Sequence, residues 1–282
     1  MKFSNFFSGT FTALVTPFLN NKIDYVSLEK IIQFQKENGV NGFVICGTTG
    51  ESTSLVKKEK IELFNFVKNL KMKNTPLIFG CGGNNTEQVI DEIKTKEFED
   101  CDAFLSVVPY YNKPPQRGLE QHFIKIANSA SKPVILYNVP SRTITKLELS
   151  TIKSLSENKN IIGIKEASGD TNFALQISKT CHDDFVLLSG DDASYEDFLK
   201  SGGHGIISVA SHILPKQFTQ KKINNFKSLI EILFIESNPI PIKYALYIMG
   251  QIQSPELRLP LVSLKEELQS KLRAELEISG LI

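Results

Sequence analysis

The runs PVILYNV at residues 133–139 and NIIGIK at residues 160–165 decide the fold. Each is short, apolar and rich in β-branched residues, the pattern of a strand covered on both faces. Runs of the same kind lie to either side: TALVTPF (12–18), GFVIC (42–46), PLIFG (76–80), AFLSVV (103–108), FVLLSG (185–190) and GIISV (205–209). Between them, apolar residues recur at helical spacing: Leu28, Ile31 and Ile32; Leu63, Phe66, Val67 and Leu70; Val89, Ile90 and Ile93; Leu119, Phe123, Ile126, Ala127 and Ala130. Asp24 or Ser27 can cap the first helix and Thr86 the third, while Gly39 can stop the first in a left-handed turn. Alternating strands and helices fit either a doubly wound open sheet or a closed barrel. The count of eight favours an α/β fold of the (β/α)8 TIM-barrel type over residues 1–214.

Beyond residue 210 the pattern becomes helical without intervening strands, so residues 215–282 read as a C-terminal helical appendix packed on the barrel. Pro239 and Pro241 break this stretch, and Pro255 and Pro260 punctuate it again. Leu264, Leu268, Leu272 and Leu276 recur every four residues, too briefly for a coiled coil, and read as one core-facing stripe.

Composition narrows the partners. The chain has 282 residues with 32 basic against 31 acidic side chains. Such a balance creates no field of one sign to attract nucleic acid or an anionic membrane, and a small-molecule partner is the better expectation. Cys46, Cys81, Cys101 and Cys181 are scattered, with no CxxC pair and no histidine placed to complete a zinc ligand set; no metal is expected. Reduced thiols, a start without secretory features and the lack of a membrane-length apolar run together lead to the expectation of a soluble, cytoplasmic protein.

In a barrel, catalytic groups sit at the C-terminal ends of the strands and in the loops that follow. That rule selects GTTGES (47–52), PYYNKPP (109–115), Tyr137 with NVPSRT (138–143), Lys165 and GDD (190–192). Lys165 ends an apolar run, where burial favours a neutral amine able to attack a ketone; such burial can bring a lysine pKa to about 7 or 8. A surface lysine paired with Glu166 is the competing reading. The GTTGES segment offers two hydroxyls and glycine-permitted backbone N–H groups leading into a helix, which suits a carboxylate. Tyr110, Tyr111 and Tyr137 are phenols near the mouth that could pass protons, or simply pack, and Arg142 could grip a carboxylate with its planar fork. The glycines of GGHGIISV (202–209) suit either a phosphate site or a tight turn, with His204 structural rather than catalytic.

Taken together, GTTGES, VVPYYNKP, ILYNVPSRT, IIGIKEASGD, LLSGDD, GGHGIISV and NPIPIKYAL resemble the dihydrodipicolinate synthase family, of the class I pyruvate aldolase superfamily, in order and spacing from about residue 8 to the C-terminus. The resemblance implies condensation of pyruvate with L-aspartate 4-semialdehyde in lysine biosynthesis, through an imine on Lys165 and without metal or organic cofactor. It implies Tyr137, Thr48 and Tyr111 as a proton relay, with Tyr111 reaching in from a neighbouring subunit of a homo-oligomer, a tetramer built as a dimer of dimers. It also implies that Thr49 holds the pyruvate carboxylate, Arg142 the second substrate's carboxylate, and the main chain of Gly190 and Ile207 the pocket wall. Two features depart from the family pattern. Ile144 is larger than the residue usual after PSRT, and the segment between SVA (208–210) and NPIP is shorter than usual. Feedback-sensitive members bind lysine with an acidic residue and two histidines; Gln88, Lys57 and Lys60 stand there, so weak or absent inhibition is expected even with Ser52, Asn84 and Tyr110 retained.

Three other readings compete. A related aldol lyase acting on a sugar acid is disfavoured by Arg142. A catalytically dead binding protein is disfavoured by the presence of Lys165 and Tyr137. A Rossmann-type nucleotide binder lacks its GxGxxG turn after the first strand.

Overall fold

A computed structural model describes residues 2–70 and 75–282. Eight parallel strands close into a barrel: Gly9–Ala13, Gly42–Ile45, Leu77–Gly80, Ala103–Val107, Val134–Asn138, Ile161–Glu166, Val186–Ser189 and Gly205–Ser208. Closure is made by the first strand, which pairs with the eighth (Gly9 with Gly205, Phe11 with Ile207) and with the second (Phe11 with Gly42). The open-sheet alternative is thereby excluded, because no strand of the barrel retains a free edge.

Side-chain alternation divides the core in two. Phe11, Ala13, Val44, Ile78, Leu105, Ile135, Tyr137, Val186, Leu188 and Ile207 fill the barrel interior. Residues one step out of phase, such as Phe43, Phe79, Phe104, Leu136 and Ile164, face the surrounding helices with Ile31, Phe64, Phe98, Phe123 and Ile177. Fully burying each such side chain contributes about 1.5–3 kcal/mol relative to exposure. The floor is closed by the turn of helix Phe3–Phe6. Ser4 donates both its N–H and its hydroxyl to Asp184 Oδ1, and Phe7 packs against Phe11 with ring centroids 6.4 Å apart.

The first strand lies earlier than the apolar run indicates, at Gly9–Ala13 rather than within residues 12–18. Its outward-facing positions are polar, which hid the start: Thr12 donates to Gln35 Oε1 at 2.7 Å and meets Ser211 Oγ at 2.9 Å. Beyond Ala13 the apolar residues Leu14 and Val15 stay buried after the strand ends, and the Val15 N–H is taken up by His212 Nε2. Helix Tyr25–Glu37 is capped by Asp24, which accepts from the Ser27 N–H, and Gly39 follows at φ +82°. At helix Thr86–Ile93 the cap is Asn85 rather than Thr86, because the Asn85 side chain accepts from the N–H groups of Glu87 and Gln88.

After the eighth strand only helical elements follow among the described residues, chiefly Pro215–Thr219, Lys227–Ile232, Ile240–Ile248 and Glu266–Ile278. Pro241 does not interrupt the third of these; it lies in its first turn, where a missing N–H costs nothing. Leu264, Leu272 and Leu276 are buried and Leu268 partly so, as one stripe requires. No helix of the described residues is long and apolar enough to cross a membrane.

Candidate active site

At the C-terminal end of the barrel a cavity of about 410 Å³ is lined by Thr48, Thr49, Tyr110, Tyr137, Arg142, Lys165, Gly190, Val209 and Asn238, among others. Its chemistry follows from strand register. Tyr137 pairs with Lys165 and Asn138 with Glu166 across the fifth and sixth strands. Alternation turns Tyr137 and Lys165 inward and sends Asn138 and Glu166 outward. The Lys165 ammonium position lies 4.3 Å from the Tyr137 ring centroid, and the lysine is 7% exposed.

Glu166 therefore cannot serve as the surface partner of Lys165. Its Oε2 accepts from Asn138 Nδ2 and its Oε1 from the Ser168 N–H, each at 2.7 Å. Burial nevertheless pushes this carboxyl up, with those two hydrogen bonds opposing the shift. Asn138 Oδ1 also accepts from the Leu147 N–H, so the outer face of the strand pair is pinned to the segment after PSRT. Beside Lys165 the chain must be glycine. A Cβ at Gly190 would stand 2.5 Å from Ala167 Cβ and 2.7 Å from Lys165 Cε.

The GTTGES turn is built from tight contacts. The Gly50 N–H donates to Gly47 O, the Glu51 N–H to Thr48 O, and Thr16 Oγ1 to Gly50 O at 2.7 Å. Cys46 and Glu51 bracket it at φ +57° and +52°, left-handed positions for residues with a Cβ. The turn leads into a 3-10 turn at Ser52–Ser54, and the following helix starts only at Lys57. The expected helix terminus is thus separated from the hydroxyls by that turn. Thr49 is buried while Thr48 is exposed. Cys46 also lines the cavity, and burial pushes its thiol up to about 12, leaving it unreactive at neutral pH.

Six of the eight residues selected from sequence line the cavity; Tyr111 and Ile207 do not. Tyr111 sits at φ +73° with 92% of its surface exposed. Ile207 is buried in the eighth strand with its side chain in the barrel interior. Arg142, exposed at the rim in the short helix Pro140–Thr143, donates to the Asn238 carbonyl at 3.4 Å, and Ile144 points to solvent. Gly202 and Gly203 lie just before the eighth strand and Gly205 opens it, at the opposite end from the cavity. There His204 Nδ1 accepts from the Leu187 N–H, a structural contact.

Sequence reasoning gave no individual role to Asp192, Asn238 or Lys243, although GDD and NPIPIKYAL contain them. Asp192 accepts from the N–H groups of Val209 and Ala210, and burial raises its carboxyl to about 6. The available signal was the motif itself, a lysine within the apolar stretch IPIKYAL. Among the described residues, no group of three or more His, Cys, Asp or Glu side chains is placed to hold a metal ion.

The profile of the dihydrodipicolinate synthetase family matches residues 6–279. The chain is 51% identical over 290 residues to a 4-hydroxy-tetrahydrodipicolinate synthase of Bdellovibrio bacteriovorus, covering 98% of this chain and 99% of that one. Among solved structures, a monomeric dihydrodipicolinate synthase variant superposes with a TM-score of 0.94 at 36% identity, covering 99% of both chains. An enzyme of the same kind from Cyanidioschyzon merolae, with lysine bound, gives 0.92 at 37% identity, covering 98% of this chain and 99% of that one.

Proposed function

The chain belongs to the dihydrodipicolinate synthetase family, and from that premise we propose how its cavity performs the condensation of pyruvate with L-aspartate 4-semialdehyde to 4-hydroxy-tetrahydrodipicolinate, a step of lysine biosynthesis. The observation that carries this reading is the burial of Lys165 in register with Tyr137, in one cavity with Thr48, Thr49, Arg142 and Gly190.

The Lys165 amine attacks the pyruvate ketone and water leaves. The protonated imine then draws electrons from the methyl carbon, which loses a proton to give an enamine. The enamine carbon attacks the aldehyde, whose oxygen takes up a proton. Closure of the substrate amine onto the imine carbon releases Lys165. The imine is the electron sink, so the chemistry requires no organic cofactor and no metal. Tyr137 and Thr48 pass the protons, Thr49 receives the pyruvate carboxylate, Arg142 receives that of the aldehyde, and the main chain of Gly190 bounds the substrate.

Borohydride treatment in the presence of pyruvate, followed by peptide mass spectrometry, tests this directly. A reduced adduct on Lys165 alone is expected, and Lys165→Ala should lose it while remaining folded. Labelling of another lysine, or of none, overturns the mechanism.

The exposure of Tyr111 supports a shared site in which this phenol completes the relay of a neighbouring subunit. We read the active form as at least a dimer, and by family likeness as a cytoplasmic homotetramer of barrels (1–214) carrying helical appendices (215–282). Mixing inactive Tyr111→Phe and Lys165→Ala subunits should restore part of the activity. Absence of recovery after verified subunit exchange refutes sharing.

A further inference from the structure

Asn238 touches both residues assigned to substrate carboxylates. Its Nδ2 donates to Thr49 Oγ1 at 2.9 Å, and its carbonyl accepts from the Arg142 guanidinium at 3.4 Å. Because Thr49 Oγ1 accepts this bond, the hydroxyl proton is free to point into the cavity, as a donor to a carboxylate must. The Asn238 side-chain oxygen is buried without a partner. One acceptor of the amide is thus left unused while its N–H is held on Thr49.

What fixes Asn238 is the segment that follows it. Lys243 is fully buried, and its ammonium donates to Glu51 Oε1 at 2.5 Å and to the Glu256 carbonyl at 2.8 Å. Glu51 Oε2 accepts from the Arg258 N–H at 3.0 Å. The Lys243 ammonium and the Arg258 guanidinium also lie 4.2 and 4.4 Å from the centroid of the Phe18 ring. Arg258 grips Glu59 with both terminal nitrogens and reaches the Ser54 carbonyl. The turn carrying Thr49 is therefore clamped by the appendix, with Glu51 held in a left-handed conformation.

We propose that Asn238, anchored by the Lys243–Glu51 ion pair, is a positioning residue that orients the Thr49 hydroxyl and sets the spacing between the two carboxylate positions. The inference rests on the assignment of Thr49 to pyruvate. It makes the helical appendix part of the substrate site, although no part of it supplies a reacting atom.

Steady-state kinetics of Asn238→Ala, Thr49→Val and the double variant test it. Asn238→Ala should raise the pyruvate KM about tenfold and change kcat less than about threefold, the signature of lost uniform binding. In the Thr49→Val background the same substitution should have little further effect on that KM, since its route to pyruvate is already gone. An unchanged pyruvate KM in Asn238→Ala, with a raised one in Thr49→Val, overturns the proposal alone. An unchanged KM in Thr49→Val overturns the underlying assignment as well. Lys243→Met leaves Glu51 buried without its partner, and where it folds, by circular dichroism, it should show the same KM increase. Folded Lys243→Met with a normal pyruvate KM removes the ion pair from the proposal.

Discussion

Tyr137 and Lys165 are register partners on adjacent strands, and this pairing alone brings the lysine ammonium position to 4.3 Å from the phenol ring centroid. A hydroxyl group on that ring can then serve protons around the imine. Tyr137→Phe should keep the ring and the packing but lower kcat by about 10²–10⁴-fold, the usual worth of a positioned acid or base. Borohydride trapping should persist at a reduced rate. A kcat within threefold of the parent enzyme would rule out this role.

Gly190 stands where any Cβ meets Lys165 Cε at 2.7 Å and Ala167 Cβ at 2.5 Å. Gly190→Ala should displace the lysine and slow imine formation at least tenfold, since a shift of about 1 Å at a reacting group can cost 100-fold. Single-turnover trapping with pyruvate provides the readout. Trapping at the parental rate would show that the lysine side chain has room to move aside.

Arg142 is exposed at the rim and is held by one long contact to Asn238. Arg142→Ala should raise the KM for the semialdehyde by an amount corresponding to about 1.5–3 kcal/mol of charge-assisted hydrogen bonding, leaving imine trapping intact. Unchanged semialdehyde kinetics would assign its carboxylate elsewhere.

Lysine should inhibit weakly or not at all. Gln88 and Lys57 are exposed, but Lys60 donates to Glu92 at 2.7 Å. Only Lys57 is therefore left to repel a bound lysine, because Glu92 neutralises Lys60. The missing acidic partner at Gln88 remains the main loss. Half-inhibition by submillimolar lysine in initial-rate assays would contradict this.

Acid should destabilise the fold partly through His122, which burial pushes down to about 4. The unfolded chain takes up a proton near 6.5, so stability from this group is complete above that value and is lost as pH falls towards 4. The loss is about 3 kcal/mol by that conversion. His212, also lowered to about 4, acts in the same sense, whereas Asp192, raised to about 6, acts in the opposite one. Both are common to the parent and His122→Gln, so the difference isolates His122. Urea denaturation at pH 7 and pH 4.5 should show a smaller drop for His122→Gln, whose amide can still meet Thr86 Oγ1, the partner of His122 Nδ1 at 2.8 Å. Equal drops would place the acid sensitivity elsewhere.

Seven of the eight barrel strands, most of the helices and the position of Lys165 are legible in the chain, because strand and helix periods, glycines and caps are local properties. Seven of the eight apolar runs overlie strands to within a residue or so at their ends, and Lys165 and Tyr137 line one cavity. The first strand was displaced in that reading because its outward side chains Thr10 and Thr12 are polar. Burial of the Thr12 hydroxyl depends on Gln35 and Ser211, the second of which lies 199 residues from it. Tertiary structure alone decided the rest: closure of the barrel through Gly9 and Gly205, the plug of Phe7 beneath Phe11, and the clamp on the GTTGES turn. Asn238 meets Thr49 across 189 residues and Lys243 meets Glu51 across 192. No local pattern encodes such partners, because a buried lysine or asparagine is tolerated only once folding has brought its counter-charge or acceptor to it.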